Sequence, residues 1–240
     1  SIYRRKNHPK IKGLDEPIKI YYKLKENGYK IIANIFIDAD LQIQREKFEF
    51  KKSGTTCVIV IQLEEHLICA NVGDSRAILI YDENYDDNLL HSKIYCLSYD
   101  CKPDLPNEKK RIYASGGTVE KALDENDKET GPYRVWAKNE DYPGLAMSRS
   151  IGDIDAKKYG VIPNPQIVEY TLNYYSKYMV ICSDGVWEFI NNEGVKKVGN
   201  KYYLRNDPDG LCQELIQKSV DYWMNEDIVI DDITVVSVCF

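Results

Sequence analysis

Apolar residues fall into short runs separated by turn-forming residues along most of the chain. Over residues 16–47 they recur near helical spacing (Ile18, Tyr22, Leu24, then Ile31, Ile32, Ile35, Phe36 and Leu41). Gly28 interrupts that pattern, which predicts one or two helices. Residues 55–63, 66–72 and 76–81 read as three strands, separated by Glu64-Glu65 and by Gly73-Asp74. Tight turns between such runs suggest a meander with antiparallel pairing. Residues 82–91 are acidic and asparagine-rich, an expected exposed loop. A strand is expected at 94–98, a short helix at 107–115 closed by Gly116-Gly117, and a charged loop at 123–132. A strand at 178–182 precedes Gly185 and a short helix at 186–190. Residues 208–222 read as an amphipathic helix, and 233–240 as a nearly all-apolar, buried strand. No internal repeat, low-complexity tract or linker is visible, so residues 1–240 read as one domain of packed antiparallel sheets with helices outside, an α+β protein.

Composition narrows the function. With 240 residues, 43% of them hydrophobic, the chain can build a sizeable core. Its formal net charge is -6 and its cations are scattered, which argues against nucleic-acid binding as the main role. No run approaches the roughly 18 apolar residues of a membrane span, and residues 1–12 are polar and basic, unlike a secretory signal. The 7 cysteines include no Cys-x-x-Cys pair and mostly sit in apolar runs. They read as buried thiols of a reduced intracellular protein, cytoplasmic or nuclear. His8, His66 and His91 lack ligand-like spacing and are expected at the surface.

Chemistry enters at four stretches, 97–103, 145–153, 179–188 and 231–240, each pairing an apolar, strand-like run with acidic residues at its end. Strand ends hold carboxylates fixed, which suits a hard cation such as Mg²⁺ or Mn²⁺. These stretches belong to longer words: Ser53-Gly54-Thr55-Thr56, Ala70-Asn71-Val72-Gly73-Asp74-Ser75-Arg76, Asp100-Cys101-Lys102-Pro103, and Glu108 with Arg111-Ile112 and Gly116-Gly117. Gly144-Leu145-Ala146-Met147-Ser148-Arg149-Ser150-Ile151-Gly152-Asp153 and Gly160-Val161-Ile162 with Pro165 follow. Cys182-Ser183-Asp184-Gly185-Val186-Trp187-Glu188 and Asp231-Asp232-Ile233-Thr234-Val235 complete the series. In that order the words resemble the metal-dependent (type 2C) protein serine/threonine phosphatases, over residues 53–240 with a vaguer helical match at 29–41.

The resemblance implies a four-layer sandwich of two antiparallel β-sheets flanked by α-helices, with a metal site at one edge. It implies hydrolysis of phosphoserine and phosphothreonine in proteins by a metal-activated water, with two Mg²⁺ or Mn²⁺ ions and in some members a third. Asp184 matches the family's core metal-binding aspartate and Asp231 the second. Asp232 stands where the family usually has Asn, which leaves open which of the pair ligates. Asp100 and Glu188 match third-metal positions, although the family usually has Asp at the latter. Cys101 replaces a common His and reads as packing, because a thiol is a poor partner for a hard ion. Asp74 and Arg76 match a structural turn with a buried clasp. Arg149 and Asp153 are similar, Asp153 being the stronger outside candidate near the metals. Residues 154–166 occupy the position of the family's variable flap. A phosphoprotein substrate and a monomeric state complete the expectation.

The family's phosphate-binding Arg, an acidic metal-ligand pair and an Asp-Gly-His-Gly-Gly word have no counterpart in residues 1–52. Three explanations stand: a fragment of a longer phosphatase, a divergent relative that binds proteins without turnover, or unrecognisable equivalents. No side chain is therefore assigned as a general acid.

Overall fold

A computed structural model describes residues 15–45, 52–83, 91–226 and 229–240. Residues 1–12 and most of the expected loop at 82–91 lie outside them. Helices α1 (Asp15–Glu26) and α2 (Lys30–Ile43) meet at Gly28, whose φ of 60° is left-handed. Strands β1 (Gly54–Thr55), β2 (Cys57–Leu63), β3 (His66–Val72), β4 (Arg76–Tyr81) and β5 (Lys93–Cys96) precede α3 (Pro106–Ala114). Then come β6 (Gly117–Leu123), β7 (Glu129–Ala137), β8 (Pro143–Leu145), β9 (Ile151–Gly152) and α4 (Ile154–Lys157). The chain continues through β10 (Gln166–Thr171), β11 (Ser176–Cys182), α5 (Asp184–Trp187), α6 (Asn192–Tyr203), α7 (Pro208–Asn225) and β12 (Val235–Cys239).

Two antiparallel sheets form the centre, ordered β10-β3-β2 and β12-β11-β4-β5. Side chains alternate across them, as pleated strands require. On β3, Ile68, Ala70 and Val72 meet α1 and α2, whereas Leu67 and Cys69 face the other sheet. On β4, Ala77 and Leu79 enter that inter-sheet core, while Ile78 and Ile80 pack with α6 and α7 residues such as Val195, Leu211 and Leu215. The layers are therefore helices, sheet, sheet, helices. Buried on both faces, these strands read as continuous apolar runs.

The expected three-strand meander breaks after its first hairpin. β2 and β3 pair, but at Gly73-Asp74-Ser75 the chain crosses to the second sheet, where β4 pairs with β11 and β5. The expected charged loop at 123–132 is largely a hairpin of β6 and β7 in a separate three-stranded sheet. Its Gly117, Val119, Val135 and Ala137 are buried, while its outer positions carry charges. Among the described residues the last strand is an edge strand rather than a buried one, paired to β11 alone, and Val236 is half-exposed.

Gly199 shows how tightly α6 meets the second sheet. A Cβ there would lie within 2.6 Å of the hydroxyl and ring of Tyr178, which is fully buried and whose single hydroxyl proton is shared between Asn200 Oδ1 at 2.8 Å and the Lys196 carbonyl at 3.0 Å. Gly199→Ala is therefore expected to lower stability by about 1–3 kcal/mol in urea unfolding, against its helix propensity.

Candidate metal centre

Register places three acidic segments at one end of the second sheet. Cys182, the last residue of β11, pairs with Val235 at the start of β12 and with Arg76 at the start of β4. Asp184, Asp231 and Asp74 lie just beyond those pairs. Burial first, then the charges of Asp74 and Asp231, raise the Asp184 carboxyl above its ordinary range, with Lys102 opposing them. Asp74 is 5% exposed and pairs with the Lys102 ammonium at 2.5 Å. Lys102 had no role from its place in the sequence. Its signal was position alone, two residues beyond Asp100.

The turn bearing Asp184 is fastened to the segment bearing Asp231. Ser183 N–H donates to the Thr234 carbonyl at 3.1 Å, and Ser183 Oγ accepts from Thr234 N–H and donates to the Asp232 carbonyl, both at 2.9 Å. Gly185 is required by close approach: a Cβ there would stand 2.6 Å from the Asp232 carbonyl oxygen. Its φ is not left-handed, so backbone freedom is not what selects glycine here. Asp231, which is exposed, accepts from the Asp232 N–H at 2.7 Å. Asp231 acts on Asp184, and Asp232 offers its carbonyl to Ser183.

Asp100 is held by a two-pronged contact. Arg76 Nε and Nη2 donate to its two carboxylate oxygens at 2.8 Å each, while Nη1 reaches Asn192 at 2.7 Å and the guanidinium covers the Trp187 ring. Each oxygen keeps a second lone pair. Glu188 is exposed one helical turn after Asp184, with its N–H on the Asp184 carbonyl. Cys101 is fully buried and burial pushes its thiol up to about 11, which keeps it protonated.

Other motif residues are gathered elsewhere. Glu108, 2% exposed, accepts from Arg149 at 2.6 and 3.0 Å, from Arg111 at 2.8 Å and from Ser148 at 2.7 Å, tying α3 to the segment before β9. Asp153 sits against Gly54 with Lys157 and Asp40 as its charged neighbours, and burial raises its carboxyl. It lines a cavity of about 300 Å³ with Lys52, Tyr142 and Leu145, at the root of the flap segment. His66 stacks on Tyr21 at 3.7 Å rather than standing free at the surface.

Among the described residues no three carboxylate, imidazole or thiol side chains are grouped tightly enough to enclose an ion alone. A Mg²⁺ site commonly takes one or two carboxylates and completes itself with water and phosphate oxygens. Two mutually repelling carboxylates with oxygen donors only fit such an ion.

The sequence profile of the Protein phosphatase 2C family matches residues 12–228. The chain belongs to the protein phosphatase 2C family. A probable protein phosphatase 2C of Oryza sativa subsp. japonica is 34% identical over 202 residues, which cover 83% of this chain and 45% of the relative. One from Arabidopsis thaliana is 36% identical over 186 residues, 77% of this chain and 54% of the relative. The chain thus spans about half the length of these curated relatives. A serine-threonine phosphatase 2C from Toxoplasma gondii shares the fold, with a TM-score of 0.71 at 21% identity over 98% of this chain and 72% of that one. The phosphatase 2C architecture of antiparallel sheets flanked by helices is therefore present here. Among the described residues no helix is long and apolar enough to cross a membrane.

Proposed function

We propose that this chain belongs to a metal-dependent protein phosphatase that hydrolyses phosphoserine and phosphothreonine in proteins. The observation that carries this reading is the convergence of the Asp184, Asp231 and Asp74 segments at one end of the second sheet. Asp184 and Asp231 would hold Mg²⁺ or Mn²⁺, with Asp100 and Glu188 as candidates for a further ion. A bound ion supplies charge neutralisation for the phosphoryl oxygens and a water of lowered pKa. The residues themselves orient and neutralise. The Ser183 bridge keeps the two aspartate segments at fixed spacing, and Lys102 balances the charge of Asp74. Family membership supports the reading, as do the names of the relatives as protein phosphatases. A reducing, intracellular setting belongs to the same reading, with the seven cysteines as free thiols.

Comparing the adjacent aspartates tests the site. Asp231→Asn is expected to lower metal-dependent release of phosphate from a phosphothreonine peptide by about a hundredfold or more, and Asp232→Asn by less than about tenfold. The reverse order would transfer the ligand role to Asp232. Equal, small effects would remove this segment from the site.

A further inference from the structure

The carbonyls on either side of Ser183-Asp184 both accept from an indole N–H. Trp187, inside the motif, donates to the Cys182 carbonyl at 2.9 Å. Trp223, 38 residues from the turn and in the last turn of α7, donates to the Gly185 carbonyl at 2.8 Å. The backbone amides that could reach that carbonyl are committed elsewhere. Glu188 N–H goes to the Asp184 carbonyl, and Phe189 N–H to the Val186 carbonyl. Helix α5 has only 4 residues, so its terminal carbonyls have few partners of their own kind.

We infer that Trp223 is a positioning residue for Asp184, acting as a side-chain cap on the Gly185 carbonyl that fixes the direction in which the turn leaves β11. The helix is built to deliver it. Leu211, Leu215, Ser219 and Trp223 recur every fourth residue, and the first three are buried on the side of α7 that faces the second sheet. The indole also meets the Phe189 ring edge-on, at 4.9 Å and 86°, which sets its orientation. Two contacts of different chemistry, one polar and one aromatic, thus hold α5 against the end of α7. Neither Trp223 nor Phe189 lies within the motif words. The consequence for metal binding rests on the proposed role of Asp184, but the hold on the turn does not.

Hydrogen exchange on the natural full-length protein separates the two. Trp223→Phe keeps an aromatic ring beside Phe189 and removes only the N–H. It is expected to speed exchange of the amides from Gly185 to Phe189 by at least about threefold, with the interior of β11 unchanged. Phe189→Leu, which removes the ring contact and leaves the indole N–H, is expected to leave the turn amides closer to wild type. Unchanged exchange in Trp223→Phe, or a uniform rise across β11 and the turn, would overturn the inference. Mn²⁺ titration then reads the consequence, expected as about tenfold weaker binding in Trp223→Phe. Local exchange that rises while Mn²⁺ affinity stays unchanged would uphold the hold on the turn and overturn Trp223 as a positioning residue for metal binding, leaving the role of Asp184 itself to Asp184→Ala.

Discussion

Asp184→Ala is expected to abolish metal-dependent phosphate release while leaving the protein as stable as before, or more so. The carboxyl is partly buried and repelled by Asp74 and Asp231, and Lys102 offsets that repulsion only in part. Such a group costs stability in the absence of a cation, so removing it relieves strain between charges. The same group, as a metal ligand, would contribute several kcal/mol of charge stabilisation, about a thousandfold or more in rate. Thermal melting without added metal and phosphate release with Mn²⁺ check the two halves together. His66→Ala is the matched control. It removes a ring stacked on Tyr21 and should cost about 1 kcal/mol of stability with no loss of turnover.

Glu108→Ala is expected to do the opposite, costing about 3–5 kcal/mol because Arg149 and Arg111 would lose the carboxylate they share. Burial alone would raise this carboxyl, but Arg149, Arg111 and Ser148 outweigh it and hold it at about 2. The sign of the pH dependence follows. A lowered acid stabilises the fold above its ordinary value of 4.5, and the contribution is lost as pH falls from there through about 2. At about 1.4 kcal/mol per pH unit, the difference is worth about 3 kcal/mol near neutrality. Glu108→Gln keeps the size of the side chain and has no proton to gain. Urea unfolding at pH 7 and pH 3 should therefore show a smaller acid loss in the variant than in the parent. Equal losses would mean that the arginines do not hold the carboxylate in solution.

Much of this was legible from local pattern. The runs around Leu67, Ile78 and Val180 are apolar on both pleat faces, and that pattern marked the central strands. Asp184 follows such a run and precedes a glycine, and it was singled out because the word around it resembles that of the phosphatase family. What the pattern could not carry was partner choice. Nothing in residues 73–75 distinguishes a hairpin turn from a crossing between sheets, since β3 and β4 are buried on both faces in either arrangement. The β6–β7 hairpin was hidden for the converse reason. Its charged residues, such as Glu120 and Glu129, face solvent and leave only Val119, Val135 and Ala137 to signal a core. Arg76 and Asp100 each stood in a visible word, yet their contact spans 24 residues and depends on β4 and β5 being neighbours. Trp223 had no local signal. Its partner is a backbone carbonyl that any sequence could supply.

The most direct test is hydrolysis of a phosphothreonine peptide by the natural full-length protein that carries these residues, with Mn²⁺, with EDTA, and as Asp184→Ala. The account predicts turnover in Mn²⁺ that EDTA removes and that the alanine variant lacks while still folded. Turnover that survives EDTA or the loss of Asp184, or a folded protein that releases no phosphate in Mn²⁺, would contradict it.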